Sequence, residues 1–276
     1  MKKYLITYGN DKFRNARETF VRKSEKLGVF DNIHAYSEKD VTRELASSDI
    51  FNESRGGGYW SWKPDIIHSA LLNAKDGDII VYCDAGCTIQ LCGEWKRIWK
   101  RLANHDIYAQ RLFQRTEKWT KRALVDFFRG TNGPAWEKQY QFLATVIIIK
   151  ASPFSRMFID EWRDMMINHP ELADDVSSCK RYKEKSCFIE NRHDQAIYSA
   201  LIYKYLHTGR IYECWEHVED LDIFSRQAIR ATRLRNGERE QIIGKIKQIG
   251  KRIIKNFILK PLFYAPSQLF YSRANK

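Results

Sequence analysis

The stretch Asp78-Ile79-Ile80-Val81-Tyr82-Cys83-Asp84-Ala85-Gly86 decides the fold. Residues 79–82 are large and apolar or aromatic in unbroken succession, which suits a strand covered on both faces in a parallel or mixed sheet. The run then hands over to a carboxylate and a glycine. Ligands of open α/β sheets collect beyond the carboxyl ends of strands, so Asp84 belongs at a cleft rather than in a core. Upstream, Gly56-Gly57-Gly58-Tyr59-Trp60-Ser61-Trp62-Lys63-Pro64 reads as a glycine-rich turn feeding a helix with proline in its first turn. That helix is expected over 65–74, and Asp76-Gly77-Asp78 turns it into the strand.

Working outward, residues 3–8 form a short β-rich run ended by Gly9-Asn10, and 14–27 read as a helix stopped by Gly28. A second strand is expected over 33–36, followed by a helix capped by Ser37 or Asp40 that fades near Ser47-Ser48. Trp95, Ile98, Trp99 and Leu102 recur at helical spacing, and 106–110 give another strand. Residues 141–150 read as one buried strand, and Pro153 opens a helix carrying Phe154, Met157, Phe158, Trp162 and Met165. A helix over 192–206 and a strand over 211–215 complete the pattern, with 113–137 and 173–185 irregular. The order predicts an α/β fold: one domain over 1–225 with a central mixed, mostly parallel sheet flanked by helices, and a separate segment over 226–276.

At 276 residues, 43% hydrophobic and 13% aromatic, the chain has ample material for a core. The net charge of +13 is unevenly spread: residues 226–276 hold 13 Lys/Arg against 2 Asp/Glu, whereas 1–225 hold 34 against 32. The positive charge avoids the aromatic body, which argues against a specific nucleic-acid-binding module. Six cysteines without a CxxC pair, and a start MKKYLITYG without a long apolar stretch, suit a cytoplasmic protein with reduced thiols. Cys83, Cys87 and Cys92 lack the fourth ligand of a thiolate metal site.

The glycine turn, Tyr82-Cys83-Asp84-Ala85-Gly86, and Asn191-Arg192-His193-Asp194-Gln195 are the patterns that carry chemistry. A phosphate-bearing ligand is neutralised by a cation on carboxylates, by a Lys or Arg, or by a helix N-terminus. Asp84 suits the first of these, Lys63 the second, and the helix begun at Pro64 the third. Tyr59, Trp60 and Trp62 beside the glycines form an aromatic platform for a base or sugar, or else a plug against the sheet. Asp194 or Asn191 is either a helix cap or a functional group. Asp174, Asp175 and Glu190 read as solvated loop charge, His217 as a surface histidine, and Arg14 and Arg55 as weaker phosphate candidates.

In order and spacing these patterns resemble bacterial GT-A-type glycosyltransferases of capsular-polysaccharide and lipopolysaccharide synthesis, over roughly residues 1–215. That family has a Gly-Tyr-x-x-Trp-Lys-Pro turn before a helix, a Tyr-x-Asp-x-Gly form of the donor-binding acidic motif, and an Arg-His/Tyr-Asp-Gln segment opening a late helix. The resemblance implies transfer of a hexose from a nucleotide diphosphate sugar, a UDP-sugar foremost, to a saccharide or lipid-linked acceptor. It places Thr7, Tyr8, Gly9, Tyr59, Trp62, Lys63, Asp84, Ala85 and Gly86 around the donor. Asp194 or His193 would be the general base of an inverting enzyme. A divalent cation, Mn²⁺ or Mg²⁺, would sit on Asp84, although Gly86 stands where the commoner motif has a second aspartate. Asp84-x-Gly86-x-Thr88 also resembles the nucleophile motif of haloacid-dehalogenase-type phosphatases, but Gly86 again removes a required second aspartate.

Beyond residue 241, Ile243, Ile246, Ile249, Ile253 and Phe257 alternate with Lys245, Lys247, Lys251, Arg252 and Lys255 as in a basic amphipathic helix. Such a helix suits an anionic membrane surface, contacted through residues 242–271 with Leu262, Phe263, Tyr264, Leu269, Phe270 and Tyr271 as anchors. Docking on the body or on a second subunit is the alternative. The first reading places the protein peripherally on the inner face of the cell membrane.

Overall fold

Alternation along one strand shows how the core divides. In β3 (Ile79–Cys83), Ile80 and Tyr82 face one apolar cluster while Ile79, Val81 and Cys83 face another, so both sides of the strand are buried. The computed structural model of the chain describes residues 1–175, 183–219 and 227–232. The other strands are β1 (Lys3–Tyr8), β2 (Asn32–Tyr36), β4 (Thr88–Ile89), β5 (Ile107–Arg115), β6 (Tyr140–Phe142), β7 (Val146–Lys150), β8 (Ile211–Trp215) and β9 (Ile229–Arg230). Seven of them form one sheet, β2-β1-β3-β7-β5-β6 with β8 also on β5. β7 and β6 run against the other strands of this sheet, so it is mixed and mostly parallel, as expected. β4 and β9 form a small antiparallel ribbon.

Five longer helices cover the sheet: α1 (Arg14–Glu25), α2 (Trp62–Asn73), α3 (Glu94–Asn104), α4 (Pro153–Asn168) and α5 (His193–Tyr205). α2, α4 and α5 share one cluster, to which α4 contributes Phe158, Trp162 and Met166, each fully buried. Burying side chains of this size stabilises by roughly 1.5–3 kcal/mol each. α1 and α3 close the other face, where Trp95, Ile98 and Leu102 of α3 pack on Val81 and Ile148. α4 begins as its sequence predicts, with Pro153 in the first turn and a Ser152–Ser155 capping box.

Several expectations change in detail. The apolar run 141–150 is not one strand. β6 pairs with the far end of β5 and β7 with its beginning, and residues 143–145 step out between them. Leu143 keeps one bond to the Gln110 carbonyl, while the Thr145 carbonyl turns to accept from the Asp84 amide at 3.0 Å. The segment 37–48 forms two short pieces, Glu38–Asp40 and Arg43–Ala46, rather than one helix. The stretch 113–137 is more regular than expected: β5 continues to Arg115, and short helices follow at Thr116–Trp119, Arg122–Phe127 and Arg129–Asn132. Neither Asn191 nor Asp194 caps α5, which starts after Arg192 without a side-chain cap. Among the described residues no helix is long and apolar enough to cross a membrane. The amphipathic pattern over 242–271 lies outside the described residues.

Candidate functional site

Beyond the carboxyl ends of β1 and β3 lies a cavity of about 590 Å³. β1 brings Tyr8, Gly9 and Asn10 to it, and the turn after β3 brings Asp84, Ala85 and Gly86. That turn is closed by the Cys87 amide donating to the Asp84 carbonyl at 2.9 Å. Trp60 and Trp62 form another wall, with the Trp62 ring stacked on Tyr8 at 3.9 Å between centroids. Both Thr145, at the strand break, and Glu219 also line the space. The hydroxyl of Thr232 donates to the Gly86 carbonyl at 2.9 Å, joining the last described residue to the rim.

The glycine triplet has a specific backbone task. Residues 56–60 all take positive φ, at 65°, 60°, 86°, 50° and 62°, making one left-handed turn directly before α2. An L side chain in that conformation costs about 1–2 kcal/mol per residue, and glycine escapes the cost. Gly58 is doubly required: a Cβ there would lie 2.9 Å from the Ile50 carbonyl oxygen and from the Phe51 Cα. Tyr59 and Trp60 bear the strain. His193, at φ 48°, is the remaining non-glycine residue at positive φ among the described residues. Its ring lies 4.9 Å from Tyr59 and 5.4 Å from Trp60, so the strained residues meet in one stack. Backbone strain of this kind is held only where surrounding contacts over-determine it, and it concentrates at functional sites.

Behind the cavity wall, Lys63 donates to Asp194 Oδ2 at 2.6 Å, and its Nζ lies 3.9 Å from Asp84 Oδ1. The Lys63 and Asp194 side chains are 4% and 6% exposed, against 37% for Asp84. Burial alone would push the Lys63 amine down, but Asp194 and Asp84 hold it above its ordinary value, and it stays charged. Burial pushes the Asp194 carboxyl up to about 6 against the pull of Lys63, with Asp84 adding to the rise. The Tyr82 hydroxyl donates to Asp84 Oδ1. Burial and the Asp84 charge drive its pKa well upward, so it remains a donor. One lysine thus ties the strand-end aspartate to the late helix, and each of the sequence patterns contributes one member.

The remaining candidates divide by position. Tyr8, Gly9, Trp62, Asp84, Ala85 and Gly86 line the cavity, whereas Thr7, Tyr59, Lys63, His193 and Asp194 lie buried behind its wall. The His193 Nδ1 lies 2.7 Å from the Ala173 carbonyl, and burial lowers the ring's pKa. The acids read as solvated loop charge are in fact paired. Arg55 donates to Asp175 at 2.7 Å and to Glu190 at 3.3 Å, and Lys121 holds Asp174. Arg55 is thereby committed, as is Arg14 to Asp11. His217 is fixed to Glu94, whose other carboxylate oxygen accepts from the Ala228 amide.

A hard divalent cation takes oxygen ligands, and Mg²⁺ in particular is commonly held by one or two carboxylates together with substrate phosphates and water. Asp84 and Glu219 are the carboxylates on the cavity wall. Among the described residues no group of three or more metal-ligating side chains occurs. The donor set therefore fits a cation anchored on Asp84 and completed by substrate oxygens, not a closed protein cage.

Sequence reading missed Asn10, Lys12 and Phe13, which follow β1 into the cavity wall. The strand-end rule applied to β1 as it was to β3 finds Asn10. No local signal marks Thr145 or Glu219, which the strand break and the C-terminal chain bring in.

No family model and no curated protein matches the chain. Among solved structures it is similar to the galactosyltransferase LgtC in complex with donor and acceptor sugar analogues, at 12% identity over 84% of each chain, with a TM-score of 0.40. It is similar also to mouse xyloside xylosyltransferase 1, at 11% identity over 81% of this chain and 89% of that one, with a TM-score of 0.45. A third is the glycosyltransferase GlyE of Streptococcus pneumoniae, at 12% identity and TM-score 0.40, where the match covers 81% of this chain but 47% of GlyE. Likenesses of this size leave the reading of the site to the residues themselves.

Proposed function

We propose that the chain is a GT-A-type glycosyltransferase that moves a hexose from a nucleotide diphosphate sugar, a UDP-sugar foremost, to a saccharide or lipid-linked acceptor of cell-surface polysaccharide. The observation that carries this reading is the Asp84–Lys63–Asp194 link, which joins the three sequence patterns at a cavity of about 590 Å³ beyond the ends of β1 and β3. A cavity of that volume suits a small-molecule ligand. Transfer breaks the bond between the anomeric carbon and the diphosphate, and the departing oxygens gather charge that the site must neutralise.

In this reading Tyr8, Trp60 and Trp62 supply the apolar wall for base and sugar, and Asn10 a polar contact. Asp84 faces the diphosphate, held in one orientation by the Tyr82 hydroxyl and Lys63. A divalent cation bound on Asp84 would neutralise the leaving phosphates as a Lewis acid. Lys63 offsets the Asp84 charge from behind, and Asp194 keeps Lys63 charged and in place. Asp194 and His193 lie behind the wall and act as positioning residues: His193 clamps the left-handed turn, and Asp194 the lysine.

Nucleotide diphosphate sugars screened by thermal shift, each with Mn²⁺ or with a chelator, test the reading. A ligand that binds the folded state raises the melting midpoint. The expected result is a rise with a UDP-hexose and loss of that rise, and of transfer of a radiolabelled hexose, in Asp84→Asn. No rise with any nucleotide sugar, or the same rise in Asp84→Asn, overturns it.

A further inference from the structure

On the face of the sheet opposite α2, helix α3 turns Trp95, Ile98 and Leu102 to the core. Its outer surface carries Lys96, Arg97, Lys100 and Arg101, all exposed. Spacings of one and four residues set these cations in two adjacent rows on one side of the helix. No ion pair covers them among the described residues, and the one acid of α3, Glu94, is turned inward onto His217. Lys3 adds a fifth positive charge beside them, its Nζ 5.8 Å above the half-buried Trp99 ring. Just before α3, Leu91 stands 70% exposed, second to Met1 among the large apolar side chains of the described residues.

We propose that this face of α3 is a contact surface for an anionic lipid bilayer. Cations in the headgroup layer, a tryptophan at the waterline and a leucine reaching below it form the composition that such an interface selects. The course of the chain supports this occupant. Thr232 is hydrogen-bonded to Thr88 and Gly86, a few residues before Leu91 and α3. The chain that continues from Thr232 carries 11 Lys/Arg against 2 Asp/Glu over 233–276. Thr232, from which this basic sequence continues, is therefore fixed at the cavity rim beside Gly86, a few residues before α3. A bilayer there would bring a lipid-linked acceptor to the cavity mouth, but lipid contact stands without the transferase reading and is measured separately from it. A nucleic acid is the lesser fit, because the rings beside these cations are already engaged within the protein: Trp99 stacks on Trp95 at 5.0 Å, and Tyr212 packs on Tyr108 at 5.2 Å with Arg101 over its ring at 4.7 Å.

The full chain is to be sedimented with phosphatidylcholine vesicles, with and without phosphatidylglycerol. Parent protein is expected to bind the anionic vesicles and to release them in high salt. Each surface cation contributes roughly fivefold, so Lys96→Gln/Lys100→Gln weakens binding roughly 25-fold. Both sites are exposed and glutamine keeps the helix propensity, so an unchanged melting midpoint accompanies the loss. Lys39→Gln/Arg43→Gln, an equal charge change beside edge strand β2, leaves binding unaltered. Leu91→Ser lowers the fraction that stays bound as salt rises. Unchanged vesicle binding in Lys96→Gln/Lys100→Gln overturns the proposal. So does an equal loss in the Lys39/Arg43 control, or a variant that loses only affinity for a single-stranded oligonucleotide.

Discussion

On the cavity side of the wall stand Asp84, Asn10 and Trp60, open to a ligand; directly behind it Lys63, Asp194 and the Tyr59–His193 stack are closed off from water. Both layers come from the same short sequence patterns, and neighbours in sequence fall on opposite sides: Trp62 lines the cavity while Lys63 does not. A motif read as a set of ligand contacts is therefore a contact layer bolted to a support layer. The layers answer to different energetics, since a buried ion pair is costly to break whereas a half-exposed carboxylate is cheap to neutralise.

The largest expected effect separates the layers by stability. Lys63→Met leaves Asp194 buried without its cation and should cost about 3–5 kcal/mol in urea denaturation, with Lys63→Met/Asp194→Leu recovering much of the loss. If the single variant unfolds like the parent, the support layer is not what holds the site. Asp84→Asn should do the reverse. We expect turnover to fall by ~10²–10³, as when one group poised for developing charge is removed, with stability changed by less than about 0.5 kcal/mol. A large stability loss there would merge the two layers.

Titration sharpens the contrast. The Asp194 carboxyl is raised from 3.8 to about 6 by burial, so the folded protein holds a proton that the unfolded chain releases between those values. This contribution is fully present below pH 3.8 and is lost as pH rises through about 6, amounting to roughly 3 kcal/mol. Denaturation midpoints of the parent, relative to Asp194→Asn, should fall across that window and level off above it. A flat difference would deny the burial effect. Gly58→Ala should lower stability by about 1–3 kcal/mol, from its positive φ and the backbone 2.9 Å from the new Cβ. Its signature is a lowered melting midpoint in ligand-free protein; an unaltered midpoint would show that the turn can relax.

Legibility in the sequence follows the same division. Continuous apolar character marked β3, and the strand-end rule marked Asp84, because both depend on residues adjacent in the chain. The helices with wide apolar stripes, α3 and α4, were legible for the same reason. Direction was not: nothing in Val146–Lys150 tells that it runs against β3, nor that residues 143–145 must step out and turn Thr145 to the cavity. Glycines 56–58 announced a turn, but not that Tyr59 and Trp60 would share its handedness, since their strain is sustained by His193 from 133 residues further along. The acids at 174, 175 and 190 looked solvated because their partners, Lys121 and Arg55, are remote in sequence.

The rim formed by Glu219, Ala231 and the Thr232–Gly86 bond has a consequence for synthesis. Every strand of the seven-stranded sheet has been made once Trp215 is added. The residues of the sheet, the left-handed turn and the Lys63–Asp194 pair all precede position 216, whereas Glu219, Ala231 and Thr232 of the cavity rim follow it. The scaffold residues therefore leave the ribosome before those that complete the cavity wall, and the rim is the last part of the site to be supplied.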